Sequence, residues 1–243
     1  VACARESTRK EPVTSTPDTG VPSTSPPAAE VAKRDKALVR VVHAIPDTEA
    51  DVFAGDKKEF TNVSYKTVTP YKELPDDMQI FSVKPAGQET AQPLAENREN
   101  LAEGSHYTVI ALPGDENKTA DLHVLNDNLT PPSTGKAKVR VVNASPGIKE
   151  IDVYAQGKQD ALFSGLNFQS ESMYSEIDPM TTALEVRTAG QKNVALTIPD
   201  VKFEAGKIYT VTVIGRTNKA PKLEAILVED KLEGSQTQPS SGY

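Results

Sequence analysis

Four side chains just beyond a valine-rich segment carry the chain's densest set of metal-ligating groups: His43, Asp47, Glu49 and Asp51. An imidazole with three carboxylates suits a cation, since Ca²⁺ takes about six to eight oxygens and transition metals accept histidine beside carboxylate. Ca²⁺ is therefore the candidate ion, and no other cofactor signature is present. The matching stretch later in the chain offers Asn143, Gly147, Lys149 and Asp152, which confines any such site to the first copy. The competing reading is a solvated turn in which Asp51 and Asp152 bond to nearby backbone. Asp115-Glu-Asn117-Lys-Thr119-Ala-Asp121 alternates oxygens like a calcium loop but lacks its Gly and closing Glu, so a hairpin tip is expected there. Its counterpart, Arg216 to Lys222, is basic. Serine, histidine and aspartate all occur, yet no Gly-x-Ser-x-Gly elbow does, and His43, His106 and His123 have no histidine at the matching positions. No catalytic residue is assigned, and the chain is read as a non-enzyme. Arg40 and Arg140 each sit among valines; of a buried acidic partner and snorkelling from a sheet edge, the expectation is snorkelling.

A tandem repeat must position these groups. Lys36-Ala-Leu-Val-Arg-Val-Val-His-Ala-Ile-Pro46 returns as Lys136-Ala-Lys-Val-Arg-Val-Val-Asn-Ala-Ser-Pro146, identical at eight of eleven positions. Asp51-Val-Phe-Ala54 returns as Asp152-Val-Tyr-Ala155, and Phe81-Ser-Val-Lys-Pro-Ala-Gly87 as Leu184-Glu-Val-Arg-Thr-Ala-Gly190. Leu101-Ala-Glu-Gly-Ser-His-Tyr-Thr-Val109 pairs with Phe203-Glu-Ala-Gly-Lys-Ile-Tyr-Thr-Val211, and Asn126-Asp-Asn-Leu129 with Glu229-Asp-Lys-Leu232. Thr130-Pro-Pro-Ser-Thr-Gly135 is the joint, where proline bars helix.

Each copy reads as strands separated by turns. In the second, Val139 and Val141 alternate with Arg140 and Val142, a buried face beside a mixed one. Further β-rich runs follow at 151–155, 165–177, 183–188, 194–203, 208–215 and 223–228, punctuated by Gly and Pro. About seven strands per hundred residues without helical periodicity point to an all-β fold of two tandem Ig-like, Greek-key antiparallel β-sandwich domains. Their bounds are 36–130 and 136–232, with 131–135 as linker. Tyr107 and Tyr209 each follow a turn glycine by three residues at the head of an apolar strand. That is where a tyrosine corner ties down a crossover through its hydroxyl, against the alternative of ordinary strand packing.

The ends differ from this pattern. Residues 1–35 interleave Pro with Ser and Thr and carry no aromatic, so a disordered tether is expected, as is a loose tail at 233–243. Cys3, the single cysteine, stands after Val-Ala and before that tether, in the manner of a bacterial lipoprotein's acylated cysteine. Several acyl chains there would anchor the protein stably to a membrane. Among 243 residues, 27 Lys+Arg stand against 34 Asp+Glu, a formal charge of −7, which argues against nucleic acid as a partner. One cysteine excludes an internal disulfide framework and a thiolate zinc cage. Asn62, Asn117, Asn128 and Asn143 head glycosylation sequons, which a bacterial lipoprotein would leave unused.

The opening motif in the first copy (Val41, Val42, His43, Ala44, Pro46, Asp47), followed by Asp51-Val-Phe, Pro-Ala-Gly and Gly-x-x-Tyr-Thr-Val, resembles the bacterial DUF4397 family. The second copy departs with Asn143 for His and Gly147 for Asp. The resemblance covers residues 36–232 and implies export and β-architecture, with no activity to carry over. The combined expectation is a lipid-anchored protein of the bacterial cell envelope, at the outer membrane or cell surface. Its paired domains would bind or adhere to an envelope protein or polysaccharide. The alternatives are a structural spacer or assembly subunit without soluble ligand, and an enzyme or ligand binder with its site at the interdomain seam.

Overall fold

The valine-rich opening of each half becomes the strand around which one sheet is organised. The structure, a computed structural model, describes residues 36–114, 119–218 and 220–231. Cys3, both chain ends and most of the Asp115–Asp121 tip therefore lie outside the described residues. The first half contains β1 (Lys36–His43), β2 (Ala50–Ala54), β3 (Lys57–Val63), β4 (Lys72–Pro75), β5 (Met78–Pro85), β6 (Ala95–Asn100), β7 (His106–Pro113) and β8 (Ala120–Asn126). In the second half come β9 (Ala137–Asn143), β10 (Glu150–Ala155), β11 (Phe163–Asn167), β12 (Ser170–Glu171), β13 (Ser175–Ile177), β14 (Met180–Thr188), β15 (Val194–Phe203), β16 (Ile208–Ile214) and β17 (Glu224–Asp230).

The architecture is all-β. In the first half the sheet ordered β4-β1-β7-β8 faces the sheet β3-β2-β5-β6; in the second, β12-β9-β16-β17 faces β11-β10-β14-β15, with β13 also on β9. Two features differ from the sequence reading. The single run expected at 165–177 breaks into β11, β12 and β13, with Gly165 and Gln169 at positive φ of 69° and 64°. The sheets are also not purely antiparallel: β1 runs parallel to β7, with Arg40 opposite Thr108, and β9 parallel to β16, with Arg140 opposite Thr210. A parallel pair needs a long crossover, and here the chain between the partners first builds the whole of the opposite sheet.

Each half has its own core. Val39, Val41, Val109 and Leu122 meet Val52, Phe60, Phe81 and Val83 in the first. Val139, Val141 and Val211 meet Ile151, Val153, Leu184 and Phe203 in the second. A third cluster joins the halves: Val42, Ala44, Ile110, Leu112 and Leu125 pack on Val142, Ala144, Ile214 and Ile226. The sheets carrying β1 and β9 are thus covered on both faces, which is why Ala37–His43 and all of β9 and β16 are buried. The halves are thus in contact beyond the 131–135 segment that links them. The described residues of both halves fall in one compact unit.

Gly215, directly after β16, has φ +82°, and a Cβ there would overlap the Lys222 carbonyl. Gly215→Ala is expected to cost about 1–3 kcal/mol through combined strain and overlap. Urea denaturation measures it, and an unchanged midpoint would contradict the tight approach.

Candidate functional site

The acidic residue of each Asp-Val-(Phe/Tyr) motif is spent on backbone. Asp51 accepts from the Asn62 N–H at 2.9 Å, the Gly87 N–H at 3.1 Å and Lys58 Nζ at 3.1 Å. Asp152 repeats the pattern with the N–H groups of Gly165 at 2.9 Å and Gly190 at 3.3 Å. The repeated Ala-Gly turn and the repeated Asp are therefore one device, closing two loops onto a central strand. Burial works against the Asp51 charge, but the Asn62 and Gly87 amides and Lys58 hold its carboxyl below the usual value.

The candidate metal ligands do not converge. His43 is sealed at 0% exposure, with no hydrogen-bond partner on either ring nitrogen. Asp47 turns outward at φ 63° and meets Arg216 Nη1 of the second half at 2.8 Å. Glu49 accepts from Ser64 Oγ at 3.0 Å, and Asp51 is engaged as above. Among the described residues no group of three or more His, Cys, Asp or Glu side chains is placed to hold a metal ion. The cluster read from spacing is corrected accordingly: one member faces the interior and the others serve different partners. Asn143, at the position matching His43, donates to the Ile148 and Leu166 carbonyls at 3.3 and 3.1 Å and accepts from the Ser145 N–H. Buried in this way, it offers no glycan site. His106 and His123 are half-buried strand residues, His106 lying edge-on to Tyr71.

At the turns entering β7 and β16, Tyr107 Oη accepts the Ala102 N–H at 3.0 Å and Tyr209 Oη accepts the Glu204 N–H at 3.1 Å. Each hydroxyl reaches back five residues to the turn before its strand. Tyr209→Phe is expected to lose about 1 kcal/mol in thermal or urea unfolding, because the Glu204 amide loses its acceptor while ring packing stays.

Polar groups converge instead at the seam between the halves. Arg40 donates from Nε to Thr108 Oγ1 at 2.8 Å and from Nη2 across the seam to Asp230 Oδ1 at 2.5 Å. Arg140 donates from Nε to Thr210 Oγ1 at 2.9 Å and from Nη2 across the seam to Asp127 Oδ1. Thr108 and Tyr71 hydroxyls donate to Asp127 at 2.6 and 2.7 Å; Thr210 and Tyr174 donate to Asp230 at 2.6 and 3.1 Å. Each guanidinium also lies over its own half's tyrosine, Arg40 at 4.8 Å from Tyr71 and Arg140 at 4.7 Å from Tyr174. Both carboxylates are fully buried and both guanidinium side chains at least 95% so, which corrects the snorkelling expectation. Burial pulls the arginines toward neutrality, but the facing aspartates outweigh it and raise both. For Asp127, burial is likewise outweighed by Arg140 and Arg40, and its carboxyl sits below the ordinary range.

Asp127, Asp230, Tyr71, Tyr174 and the two threonines were missed in the sequence. A signal was available: all three residue types recur in both halves, at offsets of 102 to 103 residues. Alternating patterns identify which face is apolar, but a polar residue repeated in register on the second face gives no hint of what covers it.

The family described as a domain of unknown function (DUF4397) matches the chain twice, over residues 37–154 and 137–240, and the chain belongs to that family. Among solved structures it is similar to one named "putative cell adhesion protein", from Bacteroides uniformis. Identity is 13% over 81% of this chain and 98% of that one, with a TM-score of 0.25, a likeness that carries no conclusion. No curated protein matches the chain. No helix among the described residues is long and apolar enough to cross a membrane.

Proposed function

We propose that this DUF4397 chain is a non-catalytic interaction module of the bacterial cell envelope, tethered through Cys3 and recognising an envelope protein or polysaccharide with its outer sheets and loops. The observation that carries the reading is the seam. Its ionisable groups converge as an active site's would, yet the two arginines and two aspartates are buried and each is engaged by a neighbour, which supports a cluster that joins the halves rather than one that meets a substrate. The motif aspartates are likewise committed to backbone amides. Recognition is then left to exposed loops and strand edges, where a rigid β scaffold ordinarily presents it. A spacer role uses the same rigidity but predicts no saturable binding.

Co-sedimentation of the purified chain with isolated bacterial envelopes, before and after protease treatment of the envelopes, tests the module. Saturable binding supports it, and the protease distinguishes protein from polysaccharide as target. No binding to either preparation favours the spacer, and turnover of ester, phosphate or glycoside substrates overturns the non-catalytic reading. Radiolabelled palmitate tests the tether: the label should enter the chain and disappear with Cys3→Ala.

A further inference from the structure

We infer that the face joining the two halves is a self-complementary dimer surface, so that each half will dock through it onto a second copy of itself. The buried centre of the seam is reciprocal, although the exposed Asp47–Arg216 bridge between the halves is not, since Gly147 answers Asp47. Arg40 of the first half reaches Asp230 of the second, and Arg140 of the second reaches Asp127 of the first. Each aspartate is braced by the threonine and tyrosine of its own half, with matched geometry on the two sides. The apolar part is reciprocal too: Val42 answers Val142, Ala44 answers Ala144, and Leu112 answers Ile214. Residue i of one unit meeting residue j of the other, and j meeting i, is the signature of an isologous two-fold interface.

The consequence follows residue by residue. In a pair of first halves, Arg40 of each copy would face Asp127 of the other, with Thr108 and Tyr71 bracing it. In a pair of second halves, Arg140 would face Asp230 with Thr210 and Tyr174. No charge is left without its opposite in either pair. Unpaired, the same face would expose two neighbouring clusters, one apolar and one charged, that the structure buries almost completely. The occupant is therefore another copy of the unit; in the intact chain, covalent linkage makes the other half the preferred one by effective concentration. This inference concerns the unit's own partner and does not depend on the envelope reading.

The test uses the full chain with a protease site inserted at the exposed Thr134–Gly135 step. After cutting under native conditions, the halves should still travel together at the 26.2 kDa of the uncut chain when diluted. The cut chain is then unfolded, refolded as a mixture and weighed by native mass spectrometry. First–first, first–second and second–second pairs are all expected. First–second pairs alone would overturn self-complementarity; lone or insoluble halves would overturn the docking itself. Asp127→Arg combined with Arg140→Asp provides the selective control. It places Arg beside Arg40 within the first half, where Asp127 now stands 3.9 Å away, yet leaves two positive and two negative charges at the seam of the first–second pair, whereas one homo-pair would hold four positive charges and the other four negative. Both homo-pairs should be lost and the mixed pair retained; survival of the homo-pairs would show that the buried charges do not choose the partner.

Discussion

Asp127→Ala will destabilise the chain by about 3–5 kcal/mol, the cost of leaving a buried charge without its partner. The substitution removes one carboxylate that Arg140 approaches from across the seam and that Thr108 and Tyr71 bond from its own half. Arg140 would keep Thr210 and the Asn126 carbonyl at 3.1 Å, but those are dipoles, not a counter-charge. Arg40 would lose its 3.9 Å contact with Asp127 but retain Asp230, so the larger damage should fall on Arg140. Urea denaturation at neutral pH reads the loss. A cycle with Arg140→Met separates pair from environment: the double variant should recover part of the single variant's loss, because no buried charge is then orphaned. A loss below about 1 kcal/mol would mean the seam is solvated and its ion pairs belong with exposed ones. The same carboxyl sets an acid limit. Its pKa lies below the unfolded value of about 3.9, so its contribution is complete above that value and disappears as pH falls through the lower folded one.

A second, separate loss is expected at milder acidity from His43. Burial, opposed in part by Glu49, holds this imidazole at about 4, against its ordinary 6.5. The unfolded chain therefore takes up the proton first. Stability contributed by the neutral, buried form is whole above about pH 6.5 and falls as pH drops toward the folded value near 4. At about 1.4 kcal/mol per pH unit, the full loss is about 3 kcal/mol. Urea midpoints measured from about pH 7 down to about pH 4.5 should decline along this slope. His43→Asn is the decisive variant, because asparagine occupies the matching position of the second half and bonds three backbone groups there. It should flatten the slope across that window while leaving the steeper loss below it, which belongs to the carboxylates. A slope unchanged in His43→Asn would assign the mid-acid loss elsewhere. The variant should also be no less stable than wild type at neutral pH, since both nitrogens of His43 are buried without partners.

Several elements were legible because their physics is local. The alternation around Val139 and Val141 marks an inward face whatever lies opposite, and both valines are in the core. Asp51 and Asp152 could be read as turn formers because carboxylates bond nearby backbone, although Gly87 and Gly190 as the second attachment point are remote in sequence. The apparent metal cluster failed for the complementary reason. Spacing along a turn says which residues are neighbours in the chain, not which way each side chain leaves it, and His43 goes inward while Asp47 goes out to Arg216.

By itself the sequence determined the duplication, the β-rich character and the valine strands that found each core, because strand periodicity and repeated motifs are properties of the chain alone. Only the tertiary structure decided that the second face of those strands is buried, and that Arg40 and Arg140 exchange acidic partners between halves. The physical reason is that burial of a charge is decided by what packs over it. Here the covering surface is the chain's other copy, with partners 190 residues apart for Arg40 and Asp230 and 13 apart for Arg140 and Asp127.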